Sequence, residues 1–334
     1  MTRSTTSGIE PGSFAIPRDR EAAVVRAAGK DVALTNLRKP FFPETGATKG
    51  DLLQYYADVA PFLIPYMQDR AQVMKRYPNG ASGDFFYMKR TPPNAPAWLR
   101  TCSIEHGSGN VIAFPMIDDL ASLLWLVNLG CIDLNEWYAR CDDIDRPDYL
   151  HFDLDPVKGG ATTFATVRKV ALHVHEALED LGIPAYAKTS GSSGIHVYVP
   201  IVRGPLQKEV WTFAKAFAQT MERMHPDIIT AEYRIAKRPA GRVLVDYNQN
   251  AWGKTLASVY SVRAKPRATV SAPVTWDEIA AGIEIEDFRL DNVRERLLEV
   301  GDLWAPMKSR TGRLDMAKFI PEPLKKPARK TRPA

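Results

Sequence analysis

The succession of strand and helix patterns in the second half of this 334-residue chain predicts an α+β fold built on a ferredoxin-like, or RRM-like, sheet. Apolar alternation marks strands at 149–154, 185–189, 196–201 and 242–247. Helical periodicity marks 163–181, with Phe164, Val167, Val170, Ala171, Val174, Ala177 and Leu178 on one face and Gly182 as its stop, and 207–224. The resulting order is β-α-β-β-α-β, and Asp153, Asp155 and Asp246 all fall at strand ends in it.

The remaining elements are read in chain order. Residues 1–28 are rich in Ser, Thr, Gly and Pro with little periodicity, and are expected to be mobile. Thr48 with Asp51 three residues on predicts a capped helix to about residue 67. Its stripe is Leu52, Tyr55, Tyr56, Val59, Phe62 and Leu63, and Pro61 and Pro65 are expected to kink or shorten it. Residues 72–76 and 85–89 read as strands joined through the Pro78-Asn79-Gly80 turn, and 118–128 as a short apolar helix ended by Gly130. Further helices are expected at 275–281 and near 291–299. The organisation expected is a module over 29–305, with its core at about 145–265, followed by a basic tail at 306–334. Lys325, Lys326, Arg329, Lys330 and Arg332 in that tail suit non-specific phosphate affinity, or simply a solvated end.

Bulk composition narrows the class. With 45% hydrophobic residues the chain can build a core, and its formal charge is +5. It has no run of about twenty apolar residues, so no membrane partner is expected, and residues 1–21 lack a secretory pattern. Cys102, Cys131 and Cys141 are odd in number and form no CxxC, which favours neither a disulfide framework nor a zinc knuckle. A cytoplasmic setting follows.

Three motifs carry chemistry. In Tyr149-Leu150-His151-Phe152-Asp153-Leu154-Asp155, strand alternation turns Asp153 and Asp155 to one face, with Phe152 and Leu154 behind them. His151 shares the acidic face. Ser190-Gly191-Ser192-Ser193-Gly194-Ile195-His196 is a tight turn whose backbone N–H groups and hydroxyls suit phosphate oxygens. Asp246 lies late in the apolar run Val243-Leu244-Val245, where an unpaired carboxylate is costly. Metal coordination would remove that cost, and so would an ion pair with Arg242 or Arg263. A carboxylate pair plus a third acid on a neighbouring strand suits two divalent ions for nucleotidyl transfer. His173 and His175, two apart on a helix, face different ways and do not make a metal pair.

Taken together, these residues resemble the archaeo-eukaryotic primase superfamily, and most of all the polymerase domain of bacterial end-joining ligase D and its stand-alone mycobacterial-type primase-polymerase relatives. The pattern is DxD (Asp153, Asp155), then SGxxGxH (190–196), then an acid in a hydrophobic strand (Asp246). Leu34-Thr35-Asn36-Leu37, Thr48-Lys49-Gly50-Asp51, Arg76-Tyr77-Pro78-Asn79-Gly80, Asp246-Tyr247-Asn248-Gln249-Asn250 and Tyr260-Ser261-Val262-Arg263 extend the likeness over about residues 30–300.

The resemblance implies an RRM-like catalytic subdomain packed on a smaller N-terminal α/β subdomain. It implies a DNA-directed polymerase that prefers ribonucleotides and uses two ions, Mn2+ or Mg2+, held by Asp153, Asp155 and Asp246. Ser190, Ser193, Gly194, His196, Gln249 and Arg263 would bind the incoming NTP or dNTP. Asn36, Lys39 and Lys49 would grip a 5′-phosphate at a DNA gap or end, and Phe86 and Tyr87 would stack on template bases. The setting implied is DNA repair near the nucleoid, by base excision repair or non-homologous end joining. With no KxDG-type ligase motif present, a separate ATP-dependent DNA ligase is the expected partner.

Two departures stand out: the family usually has Lys or Arg where this chain has Ser193, and often His where it has Asn135. A lost cation should weaken triphosphate affinity unless Lys188 or another base compensates. These departures support an alternative, a catalytically weak module that recognises 5′-phosphorylated ends and recruits a repair ligase.

Overall fold

The computed structural model describes residues 14–160 and 162–319. The first strands, β1 (Ala22–Ala27) and β2 (Lys30–Thr35), form an antiparallel hairpin closed at Ala28-Gly29. Both turn residues take positive φ, as the tightest hairpin connection requires. Order therefore starts before residue 29, correcting the mobile segment assigned to 1–28: Ile16 is already buried, although residues 1–13 lie outside the described part.

A short hairpin, β3 (Pro40–Phe42) and β4 (Ala47–Thr48), leads into α1 (Lys49–Met67). Thr48 and Asp51 form the expected reciprocal cap. The helix runs through Pro61 and Pro65 without being shortened, with Val59, Leu63 and Met67 wholly buried on either side of them.

β5 (Met74–Arg76) lies between β6 (Phe86–Met88) and a later strand, and β7 (Thr101–Glu105) pairs with β8 (Val111–Pro115). α2 (Leu120–Asn128) packs on α1 and is followed by β9 (Cys131–Asp133), the third strand of the β5 sheet, and by β10 (Asn135–Trp137).

The β-α-β-β-α-β unit is present as read, with one short strand, β14, added before its last: β11 (Tyr149–Pro156), α3 (Phe164–Asp180), β12 (Tyr186–Thr189), β13 (Ile195–Pro200), α4 (Gln207–Met224), β14 (Ile229–Thr230) and β15 (Val243–Asp246). β16 (Thr255–Ala257) crosses to pair with β10, and β17 (Pro273–Val274) closes the sheet edge beyond β12. The six-stranded order is β14-β15-β11-β13-β12-β17, so the four principal strands lie in the ferredoxin-like arrangement with β11 and β13 at the centre. Every ladder among those four is antiparallel.

Alternation divides the sheet. Leu150, Phe152 and Leu154 of β11 and Val197 and Val199 of β13 meet α3 and α4, with the Phe152 and Phe217 rings 4.8 Å apart. Tyr149, His151, Asp153 and Asp155 take the other face. Two short helices, α5 (Trp276–Ala281) and α6 (Val293–Val300), follow.

Residues beyond 305 do not begin a separate tail, a second correction of the expected boundaries. Leu314 bridges to Ile201, Arg313 donates to the Asp148 carbonyl at 3.2 Å, and Met316 is fully buried. The lysine- and arginine-rich run at 325–332 lies outside the described residues.

The cysteine expectation is also corrected: Cys102 and Cys141 are joined as a disulfide, and Cys131 is free and buried. Cys102 on β7 meets the loop after β10 only through tertiary packing, 39 residues apart, so no local spacing announces the pair. None of the described helices is long and apolar enough to cross a membrane.

Candidate active site

The register of β11 assembles the acidic centre. Asp153 stands opposite His196 of β13 on one side and opposite Asp246 of β15 on the other. Asp155, two residues along, joins the same face and accepts a hydrogen bond from the Ser193 hydroxyl at 3.1 Å. Asp246 accepts from the Asn248 amide at 2.8 Å and from Gln249 Nε2 at 3.2 Å. It pairs with neither Arg242 nor Arg263: Arg263 donates to the Ser190 carbonyl and lies 3.5 Å from Asp133.

Asp153 is 7% exposed, and its Oδ1 has no aligned hydrogen-bond partner, although His196 Nε2 is 3.2 Å away. Electrostatics follow from this crowding. Burial pushes Asp153 up to about 6, while Lys188 and Arg263 pull it back. The Asp153 charge, then burial, pushes Asp155 up to about 7. Asp246 is raised by burial and by Asp153. Asp153 thus raises both neighbours, a crowding of carboxylates that a bound cation would relieve. No three His, Cys, Asp or Glu side chains among the described residues are gathered tightly enough to form a finished ion cage. The fit to divalent ions therefore rests on the hard-oxygen donor set and on the orphaned Asp153 Oδ1.

The Ser/Gly turn is shaped by close approach. A Cβ on Gly194 would lie 2.3 Å from the Leu154 carbonyl and 2.6 Å from Asp155 Oδ1, so only glycine lets the turn lie against the acids. Ser190 Oγ accepts from the amides of Ser192, Ser193 and Gly194 at 3.1, 3.2 and 2.9 Å. These are the N–H groups expected to face phosphate; the side chain of the turn's own serine already engages them.

Lys188 cannot stand in for the missing cation at Ser193 by direct contact. It is fully buried and bonded to His196 Nδ1, Ala257 O and Ser271 Oγ. Asn135 is half-buried and donates to the Asp133 carbonyl at 3.2 Å.

Two residues around the acidic centre were not among the sequence-based candidates. Buried Asp133 accepts from Lys75 at 2.9 Å, Tyr77 at 3.1 Å and the Ala264 amide at 3.0 Å, and so braces Arg263 beside the Ser/Gly turn. Asn250, also buried, accepts from the His151 amide at 3.0 Å and donates to the His151 carbonyl at 2.7 Å, extending the β11–β15 contact with its side chain. Its place in Asp246-Tyr247-Asn248-Gln249-Asn250 was the available signal. His151 itself is buried against the Tyr198 ring, both ring nitrogens unpartnered, and burial holds it down at about 3.

The N-terminal residues meet at a second place. Asn36, Lys39 and Lys49 line one cavity of about 250 Å³ with Thr35, Arg76 and Asn128, and no acid is among its lining residues. Asn36 adopts positive φ, which its short polar side chain tolerates. Lys49 Nζ donates to Thr35 O at 2.7 Å and to Asn128 Oδ1 at 2.8 Å, and burial, with Lys39 and Arg76 nearby, pulls it down to about 8. Lys39 donates to Pro78 O at 2.7 Å and to Asn79 Oδ1 at 3.0 Å.

Arg76, absent from the sequence-based candidates, joins this cavity to the aromatic hairpin, its guanidinium 5.2 Å from the Phe86 ring centre. Phe86 and Tyr87 are exposed by 44% and 62%, so they are not hairpin core. On β5, Arg76 thus serves the basic cavity while its neighbour Lys75 reaches Asp133 behind the acidic site.

A ferredoxin-like sheet bearing three converging acids, a Ser/Gly turn and a histidine is the architecture of a nucleotidyl-transferring polymerase domain. The LigD primase-polymerase domain family matches residues 48–304, and the chain belongs to that family. It is 36% identical over 278 residues to the multifunctional non-homologous end joining protein LigD of Mycolicibacterium smegmatis, covering 83% of this chain and 36% of that protein. The bifunctional non-homologous end joining protein LigD of Bacillus subtilis is 30% identical over 268 residues, covering 80% and 42%. The chain thus spans well under half the length of these relatives. A solved structure of the polymerase domain from Mycobacterium tuberculosis ligase D in complex with DNA superposes with a TM-score of 0.77 at 31% identity, covering 83% of this chain and 97% of that one.

Proposed function

We propose that the chain is a template-directed primase-polymerase that adds nucleotides, preferentially ribonucleotides, to DNA at short gaps or ends during repair. The carrying observation is the β11 register, which sets Asp153 between Asp246 and His196 with Asp155 on the same face. The names of the relatives support non-homologous end joining as the setting; base excision repair is a second setting in which such gaps arise.

In this reading Asp153, Asp155 and Asp246 hold two divalent ions, Mn2+ or Mg2+. Bound there, such ions neutralise triphosphate charge and make the primer 3′-hydroxyl a better nucleophile. The protein's own contribution is orientation. His196 donates toward the acidic face, the Ser190–Gly194 turn walls the triphosphate, and Gln249 and Arg263 flank it. The acid-free cavity of Asn36, Lys39 and Lys49, with Arg76, takes a 5′-phosphate dianion, since charge-assisted donors without a competing acid are what such a group needs. Exposed Phe86 and Tyr87 stack on template bases without reading sequence. A separate ATP-dependent ligase would seal the product at the nucleoid.

One observation favours the alternative of a weak or inactive end-recognition module: Ser193 presents a hydroxyl bonded to Asp155 where the resemblance implies a cation, while the basic cavity is complete. Primer extension on a 5′-phosphorylated gap, with Mn2+ or Mg2+ and ribo- or deoxynucleotides, separates the two. Extension by wild type but not by the Asp153→Ala/Asp155→Ala double variant supports the polymerase. Retained phosphate-dependent binding without extension under any condition supports the module.

A further inference from the structure

Lys188 carries its amino group into the interior of the sheet. Its side chain has no exposed surface. The ladder β12–β13–β11 places it opposite His196, which stands opposite Asp153, so the three lie in one row across the acidic face. Nζ has three neighbours: His196 Nδ1 at 2.7 Å, Ser271 Oγ at 2.6 Å and Ala257 O at 2.8 Å. Burial pulls Lys188 down to about 7; at pH 6 Nζ is an ammonium, with three N–H groups and no lone pair, so each neighbour must accept. Ala257 O can only accept, and Ser271 Oγ is free to, since its own proton goes to the Thr189 carbonyl at 2.7 Å. His196 Nδ1 therefore also accepts and carries no proton. In a neutral imidazole the single proton then sits on Nε2, the nitrogen 3.2 Å from Asp153 Oδ1.

We propose that Lys188 is a positioning residue: it pins His196 in the Nε2–H tautomer, as a donor aimed at the face formed by Asp153, Asp155 and Asp246, and never touches nucleotide itself. This rests on reading that face as the nucleotidyl-transfer centre, but the pinning is a property of the protein alone. It also gives Lys188 a task other than replacing the cation absent at Ser193. A buried lysine without this task would be a costly way to fill the space, since desolvating an ammonium is repaid only by acceptors placed as these are.

The test is nitrogen NMR of the full chain labelled with 15N-histidine. It has six histidines, so a His196→Gln spectrum assigns the signal. In metal-free wild type at pH 6, His196 Nδ1 is expected at the shift of an unprotonated ring nitrogen and Nε2 at that of a protonated one. In Lys188→Met the His196 pattern should move toward the Nδ1–H form. In primer extension, KM for nucleoside triphosphate should rise about ten- to a hundredfold, the loss typical of a charge-assisted donor arrangement, with a smaller fall in kcat.

A wild-type His196 protonated on Nδ1 overturns the proposal, and this holds even if the variant fails to fold. So does a folded Lys188→Met protein with an unchanged His196 spectrum. An inactive wild type that nevertheless shows the pinned tautomer, lost in Lys188→Met, would support the pinning and count only against the polymerase reading.

Discussion

Replacing Asp155 with Asn should stabilise the metal-free protein at pH 8 and leave it almost unchanged at pH 5. The reason lies in the raised carboxylates. Asp153 is lifted from the model-peptide value of 3.8 to about 6 and Asp155 to about 7, the latter first by Asp153 and then by burial. A carboxylate whose folded-state pKa exceeds its unfolded one contributes stability that is fully present below the unfolded value and is lost as pH rises through the folded value. The metal-free protein should therefore lose stability between about pH 4 and pH 7 from these two groups and reach a plateau above. For Asp153 alone the shift corresponds to a loss on the order of 3 kcal/mol. Asp155→Asn removes the charge that Asp153 and burial oppose, and should recover roughly 1–3 kcal/mol at pH 8. At about 2–4 °C per kcal/mol for domains of 150–250 residues, and somewhat less for this longer chain, that is a rise of a few degrees in Tm.

The assay is thermal unfolding in chelator at pH 5 and pH 8, repeated with Mn2+. Wild type should gain Tm from the ion at pH 8 and little at pH 5, where protons hold the site; Asp155→Asn should gain little at either. A metal-free Asp155→Asn protein less stable than wild type at pH 8, or equally shifted at both pH values, would refute the argument that these acids repel.

Three further outcomes are expected. Gly194→Ala should fold but lose most nucleotide addition, because its Cβ would enter the space of Leu154 O and Asp155 Oδ1; extension kinetics check this against circular dichroism. Lys49→Ala should weaken binding to a 5′-phosphorylated gap by about tenfold or more while affecting the unphosphorylated gap far less, as seen in fluorescence anisotropy at fixed salt. Tyr87→Ala should weaken binding to gapped template by roughly 1–3 kcal/mol without changing Tm, since the ring is mainly exposed; a large fall in Tm would mean that it is structural.

Much of the catalytic sheet was legible because its signals are local. Alternation along 149–155 turns Asp153 and Asp155 together whatever surrounds them, and the helix expected over 207–224 coincides with α4. The cap at Thr48 and Asp51 is a contact between residues three apart, so it too is written in the chain. The other small strands were less legible: β7 and β8 went unread, and β9 and β10 find their partners only in β5 and β16, far away in sequence. The same holds for Asp133, an acid whose three donors come from residues 75, 77 and 264.

The sequence by itself determined which residues form the central sheet, which face each one takes and which acids could work together, because strand and helix periods act over a few residues. Only the tertiary structure decided what each group is bonded to. It buried Lys188 beneath His196, filled the Ser/Gly turn with Ser190 Oγ, joined Cys102 to Cys141 and brought Arg76 into the lysine cavity. Hydrogen bonds and charge effects reach only a few ångströms, so their partners are set by how distant segments pack, a relation that no local pattern in the chain records.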